Sequence, residues 1–175
     1  MVVNVIGKFG CVDFETFVDS LRTNQHIKRG SEEEAELGVA YSRVLNNMPK
    51  RASNGSAGYD IITPIDLHLE SNKSVVVPTG LTSEIENGWV LFIVPRSGLG
   101  CKYGVRLLNT VGVIDSDYRG QILLKFTAEK DTVIRAGDRI AQGIFLPFGV
   151  VEGDTLVDND NITERGAGGF GSTGR

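Results

Sequence analysis

The stretch Asn109-Thr-Val-Gly-Val-Ile-Asp-Ser-Asp-Tyr-Arg-Gly120 holds a carboxylate, Asp115, and a phenol, Tyr118, on either side of a turn, with the Asn109 amide upstream. The elements that must position these groups are legible nearby. Val111, Val113 and Ile114 favour extended backbone, and Gly112 marks a bend or a close backbone approach. Ser116-Asp117 supplies turn chemistry before the apolar run Ile122 to Phe126, so the stretch predicts a β-hairpin with its polar groups at the tip. A core hairpin with solvated turn acids would carry the same pattern.

Four further stretches have chemistry suited to an anionic ligand. Pro95-Arg-Ser-Gly-Leu-Gly100 follows an apolar strand and can offer N–H donors, a hydroxyl and a guanidinium to a phosphate; by itself it is equally a plain turn. Ser53 to Asp60 places a carboxylate where a strand begins. Arg139-Ile-Ala-Gln142 puts a base and an amide at the start of another, where Gln142 is either satisfied by backbone or reserved for a ligand. The chain ends in Glu164-Arg-Gly-Ala-Gly-Gly-Phe-Gly-Ser-Thr-Gly-Arg175. This is no Walker loop, because it lacks the Gly-Lys-Ser/Thr ending and no helix follows. Phe170 flanked by glycines, with Ser172, Thr173 and Arg165, suits a flap whose ring covers a flat base while the polar groups grip phosphates; a disordered tail is the other reading.

Composition narrows the partners. The 175 residues suit one domain with a sizeable core, and 41% hydrophobic and 23% charged content is ordinary for a globular chain. The net charge of −4 excludes a generic attraction to nucleic acid, so a polyanion must meet a local basic site or a metal. Cys11 and Cys101 form no spacing motif and His26 and His68 are isolated, which excludes a His/Cys metal cage. With no signal-peptide pattern and no apolar run of membrane-spanning length, a reducing, cytoplasmic location is expected.

From residue 39 onward short strands alternate with turn signals. Val39 to Leu45, Val75 to Val77, Leu81 to Ile85, Val90 to Val94, Val105 to Leu108, Ile122 to Thr127 and Ile140 to Leu146 are predicted strands. The continuously apolar Val90-Leu-Phe-Ile-Val94 implies burial on both faces. The fold class is therefore all-β, a barrel or jelly roll. Residues 1 to 38 form a small N-terminal extension. In it Val2 to Ile6 could be a strand, Phe14, Phe17, Val18 and Leu21 share one face of a helix begun at Asp13, and Ser31-Glu-Glu-Glu34 resembles a capping box opening a second short helix through Leu37. Residues 39 to 164 then form the β core and 165 to 175 a glycine-rich arm.

Taken in order, Ala57-Gly-Tyr-Asp60, Pro95-Arg-Ser-Gly98, Asn109 to Gly120, Arg139-Ile-Ala-Gln142 and the arm from Arg165 resemble the five motifs of the homotrimeric dUTP pyrophosphatases, or dUTPases. The likeness spans roughly residues 39 to 175. It implies a dUTPase-like β-barrel trimer with sites shared among subunits, closed by the C-terminal arm, that hydrolyses dUTP to dUMP and pyrophosphate. It matches Asp115 to the base that activates the attacking water and Tyr118 to the ring that excludes a ribose 2′-hydroxyl. Asn109, Gly112, Val113 and Ile114 match the backbone and amide around uracil, whose donor and acceptor pattern cytosine partly reverses. Arg96, Ser97, Gly98 and Gln142 match phosphate contacts, as do Arg165, Gly171, Ser172 and Thr173 on the arm, with Phe170 stacked on the base. Asp60 matches the acid that meets Mg²⁺ through water.

Two rivals share this fold. A dCTP deaminase has Ile-Asp-Pro-Gly at the hairpin, where this chain has Ser116-Asp117, and its catalytic glutamate falls at Lys125, which cannot do that work near neutrality. A non-catalytic nucleotide-binding regulator would use residues 1 to 38 to contact a protein partner, yet every presumed catalytic side chain is present.

Overall fold

The computed structural model describes residues 5–25, 27–28 and 30–154. Strand β1 spans Gly7–Cys11, further along the chain than the expected Val2 to Ile6, of which residues 2–4 lie outside the described residues. Helix α1 (Phe14–Gln25) starts where the Asp13 carboxylate accepts from the Thr16 N–H at 2.9 Å and its hydroxyl at 2.7 Å. Phe17, Val18 and Leu21 are buried as the spacing predicts, whereas Phe14 stays half-exposed, edge-on to Tyr41. Helix α2 (Glu32–Ala35) has the expected cap, with the Ser31 hydroxyl accepting from the Glu34 N–H at 3.3 Å.

The first strand expected in the β core is instead helix α3, Leu37–Asn46. β-Branched and aromatic residues in Val39 to Leu45 suit a strand, but Leu37, Ala40, Tyr41 and Val44 repeat at i, i+3, i+4 and i+7, and three of them are buried. A window opened at residue 39 loses Leu37, the residue that starts this series. The helical extension thus runs to Asn46, and it shares the barrel's core: Phe17, Leu21, Leu37 and Val44 join one apolar cluster with Val77, Leu107 and Phe126.

Beyond it come β2 (Lys50–Arg51), β3 (Tyr59–Ile62), β4 (Leu67–Leu69), β5 (Ser74–Pro78), β6 (Leu81–Ile85) and β7 (Trp89–Pro95). A short helix, α4 (Ser97–Tyr103), precedes β8 (Arg106–Leu107), β9 (Gly112–Ile114), β10 (Leu123–Thr127), β11 (Thr132–Ile134) and β12 (Arg139–Pro147). The order β2-β3-β12-β7-β9 makes the largest sheet, β5-β10-β8 a second, and β1-β6 and β11-β4 form two smaller pairs, with every ladder antiparallel. This is the expected all-β architecture, and among the described residues the helices are confined to its N-terminal part and α4. On β7, Leu91 and Ile93 are fully buried on one face, while on the other Val90 is buried and Phe92 and Val94 are only partly covered, so the expected burial on both faces is complete on one and partial on the other. Among the described residues no helix is long and apolar enough to cross a membrane.

The predicted hairpin needs correction. Strand β9 pairs with β7 and β10 pairs with β5 and β8, so the arms on either side of Ser116-Asp117 belong to different sheets. Turn residues mark where the chain reverses. The partner of each strand is set by the sheet that can bury it, and Ile122 already donates its N–H to Leu81 at 2.8 Å.

Candidate active site

Asp60, Gln142 and the end of β7 lie side by side across three neighbouring strands. Gln142 is in register with Asp60 on one side and with Val94 on the other, two residues before Arg96. Lys50 on β2 faces Asp60 from the opposite side. Directly opposed residues on antiparallel strands project to the same face, so this register assembles a carboxylate, an amide and several cations on one surface. The Asp60 side chain is only 14% exposed, and it forms ion pairs with Arg96 (Nε to Oδ1, 3.3 Å) and Arg139 (Nη1 to Oδ2, 3.3 Å). That shelter lets two guanidiniums converge beside one acid without being fully screened by water.

Gln142 is held loosely, its Nε2 lying 3.4 Å from the Pro95 carbonyl, which leaves the amide available to a ligand. A Cβ on Gly58 would collide with the Gln142 amide oxygen, so the absence of a side chain at 58 is what gives that amide its place. Pro95 to Gly100, expected as a turn, leads into helix α4. Arg96 occupies its N-cap position without capping it by side chain, and Gly100 N–H returns to the Arg96 carbonyl at 3.1 Å. At the first turn the N–H groups of Ser97 and Gly98 have no partner inside the helix. An open cleft of about 520 Å³ is lined by Arg96, Gly98, Lys102, Asp138 and Arg139, among others. Lys102 was not singled out in the sequence; it lies one helical turn after Gly98, a spacing that becomes informative only once α4 is known to be a helix.

The second group of predicted residues forms one continuous stretch. Asn109 is exposed, and the Val111 N–H bonds to its carbonyl at 2.7 Å around Thr110, whose φ is +66°. That is a γ-turn of the rare, strained hand, at a β-branched residue that normally avoids positive φ. Gly112 sits opposite Ile93, where a Cβ would come 3.2 Å from the Ile93 Cβ. Val113 is half-exposed and Ile114 packs on the core. The Asp115 carbonyl accepts from the Tyr118 N–H at 3.2 Å, closing the turn between them, and the Tyr118 hydroxyl donates to the Gln121 carbonyl at 2.6 Å. Asp115 and Tyr118 are not among the residues lining the cleft beside Arg96. Arg165, Phe170, Gly171, Ser172 and Thr173 lie outside the described residues.

A family model described as dUTPase matches residues 46–174, which takes in both groups. The chain belongs to the dUTPase family. It is 46% identical over 146 residues to a deoxyuridine 5′-triphosphate nucleotidohydrolase of Desulfitobacterium hafniense, covering 79% of this chain and 96% of that protein. It is 40% identical to one from Paraburkholderia xenovorans, covering 80% of this chain and 97% of the relative. Among solved structures, the dUTPase of Streptococcus mutans superposes with a TM-score of 0.57 at 34% identity over 62% of this chain and 91% of its own. A Staphylococcus bacteriophage 80alpha dUTPase variant solved with dUpNHpp gives 0.55 at 25% identity, covering 73% and 92%. In this dUTPase-family chain the matched segment begins at the last residue of α3, so β1 and the three N-terminal helices precede it almost entirely.

Proposed function

We propose that this chain hydrolyses dUTP to dUMP and pyrophosphate, limiting uracil incorporation into DNA and supplying dUMP for thymidylate synthesis. The observation that carries the reading is the convergence of Arg96, Arg139 and Gln142 around Asp60 on one face of β3, β12 and β7. A cluster of guanidiniums beside free helix N–H groups suits the oxygens of a triphosphate. Arg96, Ser97, Gly98 and Gln142 hold the phosphates, and Asp115 orients a water toward the α-phosphorus and takes its proton. Asn109 and the backbone of Gly112, Val113 and Ile114 read uracil, and the ring of Tyr118 lies against the sugar where a 2′-hydroxyl would clash. The complex of the phage 80alpha relative with dUpNHpp supports a deoxyuridine triphosphate as ligand.

Because the cleft beside Arg96 is not lined by Asp115 or Tyr118, we assign each complete site to more than one copy of the chain, in a homotrimer. The arm, with Arg165, Phe170, Gly171, Ser172 and Thr173, closes over it. Closure of this kind excludes water and fixes the phosphates in line.

Asp60 stands among cations, and no group of three or more acids, histidines or cysteines suited to a metal occurs among the described residues. A lone carboxylate fits an ion that keeps its water shell and is otherwise held by phosphate oxygens, as Mg²⁺ prefers, so Asp60 would hold Mg²⁺ through water. When bound, the ion would offset charge on the triphosphate. Cys11 and Cys101 are free thiols, which suits a reducing cytoplasm.

The test is pyrophosphate release from dUTP, dCTP, TTP and UTP with Mg²⁺, run beside an ammonia assay. Release from dUTP alone, without ammonia, is expected. Ammonia from dCTP would assign the site to deamination instead.

A further inference from the structure

Between the N-terminal helices and the Tyr118 turn stands a single residue, Gly80. Its φ of +74° is a conformation that side chains disfavour, and a Cβ there would press on Val44 Cγ1 and Cγ2 at 3.0 Å and on Phe17 at 3.2 Å. Helices α1 and α3 therefore rest directly on this glycine. Its carbonyl accepts from the Val12 N–H at 3.0 Å, and the Val12 carbonyl in turn accepts from the Tyr41 hydroxyl at 2.7 Å. Its N–H donates at 2.8 Å to the side-chain oxygen of Gln121, one of the few buried polar residues among those described. The backbone carbonyl of the same Gln121 receives the Tyr118 hydroxyl at 2.6 Å. Thr79 completes the clamp, donating its hydroxyl to the Ile122 carbonyl at 2.7 Å and accepting from the Leu81 N–H at 3.1 Å.

We propose that Gln121 is a positioning residue for Tyr118 and that, through Gly80, it ties the setting of that ring to the N-terminal helices. The inference rests on the reading of Tyr118 as the ring that selects deoxyribose. The chemistry is specific. A buried N–H left without an acceptor is costly, so the Gln121 side chain is held in one rotamer, and its backbone carbonyl fixes where the phenol ends. Helices α1 and α3, which carry none of the residues assigned above to the substrate, thereby contribute to discrimination between dUTP and UTP.

The experiment compares kcat/KM for dUTP and UTP in four variants of the full chain, with thermal melting followed in parallel. Gln121→Met keeps the side-chain length and removes the acceptor; the dUTP preference should fall about tenfold. Gln121→Glu keeps an acceptor and should hold the preference within about twofold of the parent. Val44→Ala loosens the contact on Gly80 with Gln121 and Tyr118 unchanged, and should lower the preference about threefold. A simple loss of folded protein would lower both rates together and leave their ratio alone. If Tyr118→Ala admits UTP but Gln121→Met and Val44→Ala leave the ratio unchanged, the relay is overturned. Should Gln121→Met fail to fold, Val44→Ala decides the matter by the same ratio. If Tyr118→Ala itself leaves the ratio intact, the reading of Tyr118 fails, a different result from failure of the relay.

Discussion

Arg139 lies 3.3 Å from Asp60 because strand β12 is irregular between them. Arg139 and Gln142 are three residues apart, and in a regular strand an odd separation would send their side chains to opposite faces. The register shifts between Arg139 and Ala141, so that Arg139 is in register with Ile62 while Gln142 is in register with Asp60, and both come to the Asp60 face. The acid is thereby held between Arg139 and Arg96, and a phosphate bound there as proposed would compete with Asp60 for the same guanidiniums.

That competition gives opposite signs for two measurements on Asp60→Asn. Removing the charge leaves Arg96 and Arg139 unneutralised, so metal-free dUTP should bind at least as tightly as to the parent, measured by calorimetry in a chelator. The Mg²⁺ concentration needed for half-maximal turnover should rise, because a water-shelled ion held as proposed would lose the Asp60 carboxylate. Weaker metal-free binding together with an unchanged Mg²⁺ requirement would make Asp60 a purely structural partner of the arginines.

Gly58→Ala tests the seat of Gln142. The added methyl would overlap the Gln142 amide, which must rotate away from its present place. Gly58 is only partly buried and no core contact depends on it, so the melting temperature should barely change while kcat/KM for dUTP falls about tenfold. Gln142→Ala should give the same loss, and the double variant should be no worse than either single one, since both remove the same contact.

The parts of the site that could be read in the chain are those whose signals are local. Leu81 to Ile85 was bounded by Pro-Thr-Gly and Glu-Asn-Gly turns and is strand β6 to the residue. Asp60, Arg96 and Gln142 stand out locally as polar side chains, two charged and one an amide, next to apolar strand residues. What stayed hidden depends on partners far away in sequence. Helix α3 forms because Leu37, Ala40 and Val44 find a common core, against the strand propensity of Val39 to Leu45. The arms around Ser116-Asp117 separate because β7 and β5 each claim one. The bulge that swings Arg139 inward, and the strained turn at Thr110, leave no trace in composition at all.

Phe17 measures how far the helical extension belongs to the core. It is fully buried against Val44 and Gly80, so Phe17→Ala should cost about 3–5 kcal/mol of stability. For a chain of this size that corresponds to a fall in melting temperature of roughly 10 °C. A change within a degree or two would show α1 to be peripheral to the barrel.

Asp66 sets part of the acid limit of folding. Its carboxylate accepts from the Ala136 N–H at 2.8 Å and pairs with Arg135 at 2.6 Å, and these two interactions, in that order, hold its pKa below the ordinary carboxylate value. A depressed folded-state pKa adds stability that is present above the unfolded value of about 3.9 and is lost as pH falls from there through the folded value. Asp66→Asn should therefore melt lower than the parent at neutral pH, and the two should converge in acid. The side chain is 42% exposed, so the difference should be small and should shrink further in salt. A gap that persists unchanged below the carboxylate range would point to packing at the Ala136 turn instead.

Asp115→Asn separates binding from chemistry. The turn that carries the residue is closed by its backbone carbonyl and the Tyr118 N–H, so an isosteric amide leaves the turn intact. The amide cannot take a proton from water, and turnover of dUTP should drop by about 10²–10⁴. Affinity for dUpNHpp should stay near that of the parent, because the backbone at Gly112 and Val113, proposed above to read uracil, and the cleft beside Arg96 are untouched. A parallel loss of affinity would mean that the carboxylate holds the ligand instead of activating water. Near-normal kcat would remove Asp115 from the reaction and leave the base to be sought among the groups around Asp60.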